Sequence, residues 1–221
     1  MTLVPSLADL ASLFTLVPND PNAYGGIGSR ETPADVCSDM TRIATALEAR
    51  GFRLRSGGAG GADLAFENGT SKPDQREIYI PWKGFNGSDS PYFPARANET
   101  AIEAEIEHIR DSFDPRQPVQ PLGRPMTPVE ITARAQLIAA AFHPAWDRCS
   151  QGAKKLHTRN VHQDLGMDLM TPSRFVICWT KDGGPTGGTG QAIRIAQAHG
   201  IRVLNLHNSF VRTGVRRALG L

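Results

Sequence analysis

The sequence predicts an α/β protein: a Rossmann-like fold with a mostly parallel sheet, helices on both faces and a helical insertion. Three observations carry this. Short apolar strand segments alternate with helical segments near both ends of the chain, the order that builds parallel sheets with right-handed crossovers. The strand segments, Arg174–Trp179 (RFVICW) above all, are apolar at successive residues, which fits burial on both faces. Glycine-rich stretches follow the strand segments and open the next helices. The 221 residues suit one such domain over 1–221, with a helical elaboration at about 82–171.

Taken in order, Ser6 caps a short helix, ADLASLF, and Pro18 to Pro21 break the chain. Ala23–Gly28 is a strand running into a turn. Thr32 and Pro33 begin a helix whose Val36, Met40, Ile43, Ala44 and Leu47 share one face, and Gly51 stops it. Phe52–Ser56 is the second strand, and Gly57–Asp63 opens a helix that runs to Asn68 and ends at Gly69. Glu77–Pro81 is the third strand.

Trp82–Pro94 is a loop, Ala95–Ser112 a charged helix, and Phe113–Pro128 a proline-rich stretch without regular structure. Helices follow at Pro128–Phe142 and Gln151–Leu165. The RFVICW strand, a glycine-rich stretch from Asp182 to Gly190, a helix over Gln191–His199 and a last strand at Ile201–Leu206 complete the pattern. The tail carries Arg212, Arg216 and Arg217, and no internal repeat is present.

The net charge of +2 does not mark a nucleic-acid binder, whose footprint is a strongly basic face. The odd cysteines, Cys37, Cys149 and Cys178, lack a CxxC pair and read as reduced thiols. The N-terminus lacks signal-peptide character, and no apolar run approaches the roughly 20 residues that span a bilayer. A cytoplasmic protein with no membrane partner is expected.

Three segments hold the candidate chemistry: Gly25–Arg30 (GGIGSR), Ser56–Asp63 (SGGAGGAD) and Gly183–Gln191 (GGPTGGTGQ). In a parallel sheet all strand-to-helix loops share one edge, and ligands bind there where strand order reverses, here between the first strand and RFVICW. Glycine lets backbone N–H groups approach an anion closely, and a following helix adds positive charge at its N-terminus. The candidate ligand-binding residues are Gly28, Ser29, Arg30, Gly57, Gly58, Ala59, Gly60, Asp63, Gly187, Gly188, Thr189, Gly190 and Gln191. Arg30 suits either a phosphate or its neighbour Glu31; Asp63 suits either a helix start or a ligand. Ser56 and Thr186 add hydroxyls at the loops. Arg159, with Gln163 on its helix face and His162 nearby, is a candidate lid contact. Trp82, ending a strand at that edge, is the best of the tryptophans for stacking on a base. No metal site is expected, because His157 and His162 do not share a helix face and no cysteine pair assists. No cofactor is indicated.

GxGSR before a helix, SGGAxGAD, and GGTGQAIRIA before a final strand resemble the SLOG superfamily. That group includes the DNA-processing protein A (Smf) family, the lysine-decarboxylase-like LOG phosphoribohydrolases and small standalone members of bacteria and phages. SGGAGGAD looks most like the standalone group. The resemblance covers Ala23–Pro81 and Arg174–Leu206 and leaves the middle, with HPAW and LHTRN, without a role. It implies a Rossmann-like fold, a nucleotide or nucleotide-derived ligand, and dimers as in many relatives. LOG enzymes cleave the N-glycosidic bond of nucleoside 5′-monophosphates with a PGGxGTxxE motif. Here Gly187, Gly188 and Gly190 match its glycines, Gln191 replaces the threonine and Arg194 the catalytic glutamate.

The leading expectation is therefore a binding protein for a nucleotide or other phosphorylated small molecule, a sensor or sequestering protein. The alternative is an N-glycosidase in which Asp63 is the catalytic candidate, or Glu67, since an oxocarbenium-like state needs a nearby carboxylate. A lower alternative is single-stranded DNA binding through Arg53, Arg55, Arg212, Arg216 and Arg217, against which the near-neutral charge argues.

Overall fold

The computed structural model describes residues 5–93 and 98–221. Five parallel strands form one sheet: β1 (Ala23–Gly26), β2 (Arg53–Ser56), β3 (Arg76–Ile78), β4 (Phe175–Cys178) and β5 (Arg202–Asn205), in the order β3-β2-β1-β4-β5. Strand order thus reverses between β1 and β4, where Tyr24 pairs with Phe175 and Gly26 with Ile177. This is the α/β, Rossmann-like, helix-flanked sheet expected from the sequence. No helix among the described residues is long and apolar enough to cross a membrane.

The α-helices are α1 (Leu7–Leu13), α2 (Ala34–Ala49), α3 (Ala62–Asn68), α4 (Glu99–Ile109), α5 (Pro128–Ala141), α6 (Gln151–Leu165), α7 (Gly187–Ala198) and α8 (Ser209–Leu219). Successive residues of a strand point to opposite faces, and the core divides accordingly. Phe175 and Ile177 join a cluster with α1, α2, α3 and α8, while Val176 and Cys178 join one with α5, α6 and α7. Both faces are therefore covered, as an all-parallel sheet requires. α4 stacks on α5 through Ile102, Ile109 and Ala133.

Within the stretch read as an elaboration, α6 is the layer that covers β1 and β2. At Gly25 of β1 a Cβ would come within 2.9 Å of Val176 on β4 and in ordinary contact, 3.6 Å, with the Gln163 carbonyl of α6. The polar run Thr158–Leu165 is consequently buried throughout. Arg159, His162 and Gln163 form a packed wall rather than a lid.

Several boundaries differ from expectation for identifiable reasons. β3 is shorter, because Ile80 leaves the sheet and donates to the Tyr92 carbonyl at 2.9 Å. α4 spans Glu99–Ile109; Pro94, at the end of the expected loop, and Ala95–Ala97, at the start of the expected helix, lie outside the described residues. α7 begins at Gly187 rather than Gln191, so the third glycine stretch contributes the helix's own first turn. The tail forms α8, with Val211, Val215 and Leu219 buried at helical spacing between an Asn208 cap and Gly220.

Candidate functional site

The loops after β1 and β4, the start of α7 and one face of α6 enclose a cleft of about 540 Å³ at the strand-order reversal. Gly28, Ser29, Arg30, Ala59, Asp63, Arg159, Gly187, Gly188 and Thr189 line it, and so do His157, weighed from the sequence only as a metal ligand, and Asn160, which sequence reasoning did not single out. The volume lies within the range of small-molecule sites.

Asp63 sits at the floor, 4% exposed. Its Oδ1 accepts from the Gly28 amide at 3.2 Å, and its Oδ2 from Arg159 at 3.4 Å. Burial raises its pKa, against the Arg159 charge and the Ala59 and Gly28 amides, which lower it. The Arg159 guanidinium lies on Gly57: a Cβ at Gly57 would collide with it and come within 2.6 Å of Asp63. Gly57 thus serves the ion pair.

Amides of the second loop are likewise taken up within the protein, that of Ala62 by the Ser29 carbonyl at 3.2 Å. Gly58 donates to Glu67 at 3.0 Å, and burial, with Asp63 next, pushes the Glu67 carboxyl up to about 7. The Ser29 amide continues the sheet by donating to the Trp179 carbonyl at 3.1 Å. Of the loop amides expected to face an anion, those of Gly28, Ser29 and Gly58 are instead bonded within the protein.

The start of α7 is different. Thr186 gives it no side-chain cap; its hydroxyl donates to Asp182 at 2.8 Å. An α-helix leaves its first N–H groups without intrahelical partners. A Cβ at Gly187 or Gly188 would meet nothing within 4 Å, so that backbone borders open space. Across the cleft, Arg159 is 6% exposed and its Nε has no partner among the described residues. Arg30 is exposed at the rim and forms no ion pair among the described residues; the salt bridge to Glu31 comes from Lys181, at 3.5 Å. Three cations (Arg30, Arg159 and Lys181) thus stand against Asp63 and Glu31, with a helix N-terminus between them.

Gln191 and Gly190 are buried behind the helix start. Gln191 Nε2 donates to the Ala139 carbonyl at 2.8 Å, and its Oε1 accepts from Asn160 at 3.0 Å. Asn160 also reaches the Gly188 carbonyl at 3.3 Å. These side chains hold the first turn of α7 in place. Arg194, at the position of the LOG glutamate, donates to the carbonyls of Phe142 and Pro185 and does not line the cleft.

Two other clefts adjoin. One of about 980 Å³ is bordered by Gly58, Gly60, Glu67 and Arg76, and it shares Arg30 and Ala59 with the first. Trp82 lines a third, of about 470 Å³, edge-on to Phe85, and does not line the cleft at the strand-order reversal. The arginines of the DNA-binding alternative are largely neutralised. Arg53 and Arg55 pair with Glu77, and Arg212 pairs with Asp35 and Asp39.

No protein-family model, no curated protein and no solved structure matches this chain.

Proposed function

We propose that this protein binds a nucleotide or nucleotide-derived phosphorylated ligand in the cleft between β1, α6 and the start of α7, as a sensor or sequestering protein. The observation that carries the reading is the uncapped N-terminus of α7 facing the part-free, buried guanidinium of Arg159. A phosphate between them would accept from backbone amides and from a charged donor at once. The likeness of the loops to the SLOG superfamily points to the same ligand class. The N-glycosidase reading needs a carboxylate at the reacting sugar. Asp63 lines the cleft, but its oxygens are engaged by Gly28 and Arg159, which favours binding over chemistry.

Gly188→Asp tests the reading. The new side chain enters open space, and an acidic residue in a first helical turn favours folding. Calorimetric titration with a panel of nucleoside mono- and diphosphates should give at least one ligand that the variant binds roughly tenfold or more weakly, because like charge now faces the phosphate. Equal affinity in both proteins, or no binding by folded wild type across the panel, would sink the proposal. Chromatography of the same mixtures separates the two readings: an unchanged ligand supports binding, and free base supports hydrolysis.

A further inference from the structure

Beside the cleft, three metal-ligating side chains from separate segments converge. His143 follows α5, Cys149 follows the short turn Trp146–Arg148, and His157 lies in α6. One ligating atom from each lies within 4.8 Å of the others. The Cys149 Sγ stands 3.7 Å from Nδ1 and 3.8 Å from Nε2 of His143, and the two imidazole centroids are 4.2 Å apart. Zinc–sulfur bonds of about 2.3 Å and zinc–nitrogen bonds of about 2.0 Å at a tetrahedral angle put S and N roughly 3.5 Å apart. The Ala145 amide donates to His143 Nδ1 at 3.2 Å, so Nε2, 3.8 Å from the cysteine sulfur, is the nitrogen near coordination spacing.

A second observation concerns the orientation of His157. Gln191 donates its Nε2 to the Ala139 carbonyl, which turns its Oε1 toward His157 Nδ1, 2.9 Å away. An amide oxygen only accepts, so Nδ1 carries the proton and the Nε2 lone pair is left to a ligand. Histidines that bind metal are commonly oriented in this way, through a hydrogen bond from the other ring nitrogen. The cations nearest His157 are engaged elsewhere: Arg159 with Asp63, and Arg194 with the carbonyls of Phe142 and Pro185.

We propose that His143, Cys149 and His157 bind one zinc-class divalent ion through two imidazoles and a thiolate, leaving a fourth position to water or another ligand. The Cys149 proton passes to solvent as the S–metal bond forms. The three residues are half-buried, which admits both ion and water. The ion would tie the segment after α5 to α6 and, through His157 and Gln191, to the first turn of α7. His157 also lines the glycine-loop cleft, so the fourth ligand can come from there. The proposal does not depend on the nucleotide reading.

The sequence argument against a metal weighed His157 with His162. His162 is fully buried against Tyr79, and the partners that the fold supplies are His143 and Cys149.

Cobalt(II) is the probe. The full chain, stripped with a chelator and titrated with Co²⁺, should take up one ion. It should show a thiolate-to-cobalt charge-transfer band with the strong visible bands of tetrahedral cobalt, both lost on adding Zn²⁺. Cys149→Ser should abolish the charge-transfer band. A measurement on the unaltered chain guards against misfolding: Zn²⁺ should slow iodoacetamide alkylation of Cys149 about tenfold or more, because the thiolate is both nucleophile and ligand. Half-buried Cys37 is the internal control, with alkylation unchanged. A weak octahedral cobalt spectrum, a charge-transfer band that survives in Cys149→Ser, or Cys149 alkylation indifferent to Zn²⁺ would each overturn the proposal.

Discussion

Separating Asp63 from Arg159 measures how much the cleft floor depends on charge. The two side chains are 5% and 7% exposed and lie 3.4 Å apart. At an effective dielectric of about 20, charges at that distance attract by roughly 5 kcal/mol. Much of this offsets the cost of taking both groups out of water, so the pair contributes little net stability. Removing one partner is different, since it leaves the other buried and uncompensated at a cost of about 3–5 kcal/mol. Asp63→Asn should lie at the upper end. The new amide presents a donor to a guanidinium whose Nε already lacks a partner. Arg159→Met should cost less, because Asp63 keeps the Gly28 amide and can take a proton, its pKa being raised by burial already. In the double variant neither charge is stranded, so a coupling energy of about 2–3 kcal/mol is expected. Equilibrium urea unfolding of the four proteins at neutral pH provides the cycle. Single variants within about 0.5 kcal/mol of wild type, or a cycle additive to that margin, would refute the reasoning.

Three further predictions concern the surrounding groups. Glu67 keeps a proton in the folded protein up to about pH 7, against an ordinary 4.5, so the folded state binds more protons and stability falls as pH rises between those values. Glu67→Gln should remove that loss, up to about 3 kcal/mol, and a stability difference from wild type that is the same at pH 5 and pH 8 would contradict it. His162 has the opposite sign: burial holds its pKa at about 4, the unfolded chain takes the proton near 6.5, and stability is lost as pH falls through that window. His162→Gln should lessen acid sensitivity between pH 6.5 and 4 by up to about 3 kcal/mol, read as the difference in urea unfolding from wild type. Finally, Gly57→Ala should destabilise by about 1–3 kcal/mol, because its methyl displaces the Arg159 guanidinium, whereas Gly60→Ala, whose Cβ meets nothing within 4 Å, should be close to neutral in thermal unfolding.

The sheet was legible because short strand segments, wholly apolar only in β4 (FVIC), alternate with helical segments and are followed by glycine, and local pattern is enough to recognise that order. α6 matched its expected bounds, Gln151–Leu165, but its burial did not show: a run of His, Thr, Arg, Asn, Gln and Asp carries no apolar stripe. The start of α7 was hidden by glycines, which disfavour helix interiors yet here occupy a first turn. α8 carries a local signal in its Asn208 cap and in the spacing of Val211, Val215 and Leu219, which the arginines between them break into isolated apolar residues.

Local chemistry along the chain determined the class of fold, the reversal between β1 and β4, and the edge at which a ligand would meet the glycine loops. These follow from strand length, hydrophobic pattern and the rule that parallel strands present their following loops on one side. Which amides stay free was decided only by tertiary structure. Asp63 and Glu67 take the Gly28 and Gly58 amides, Arg159 seats itself on Gly57, and the α7 terminus has no side-chain cap. The convergence of His143, Cys149 and His157 was decided in the same way. Hydrogen bonds and ion pairs between distant residues depend on ångström-scale placement by the packed core, and spacing along a chain does not encode that placement.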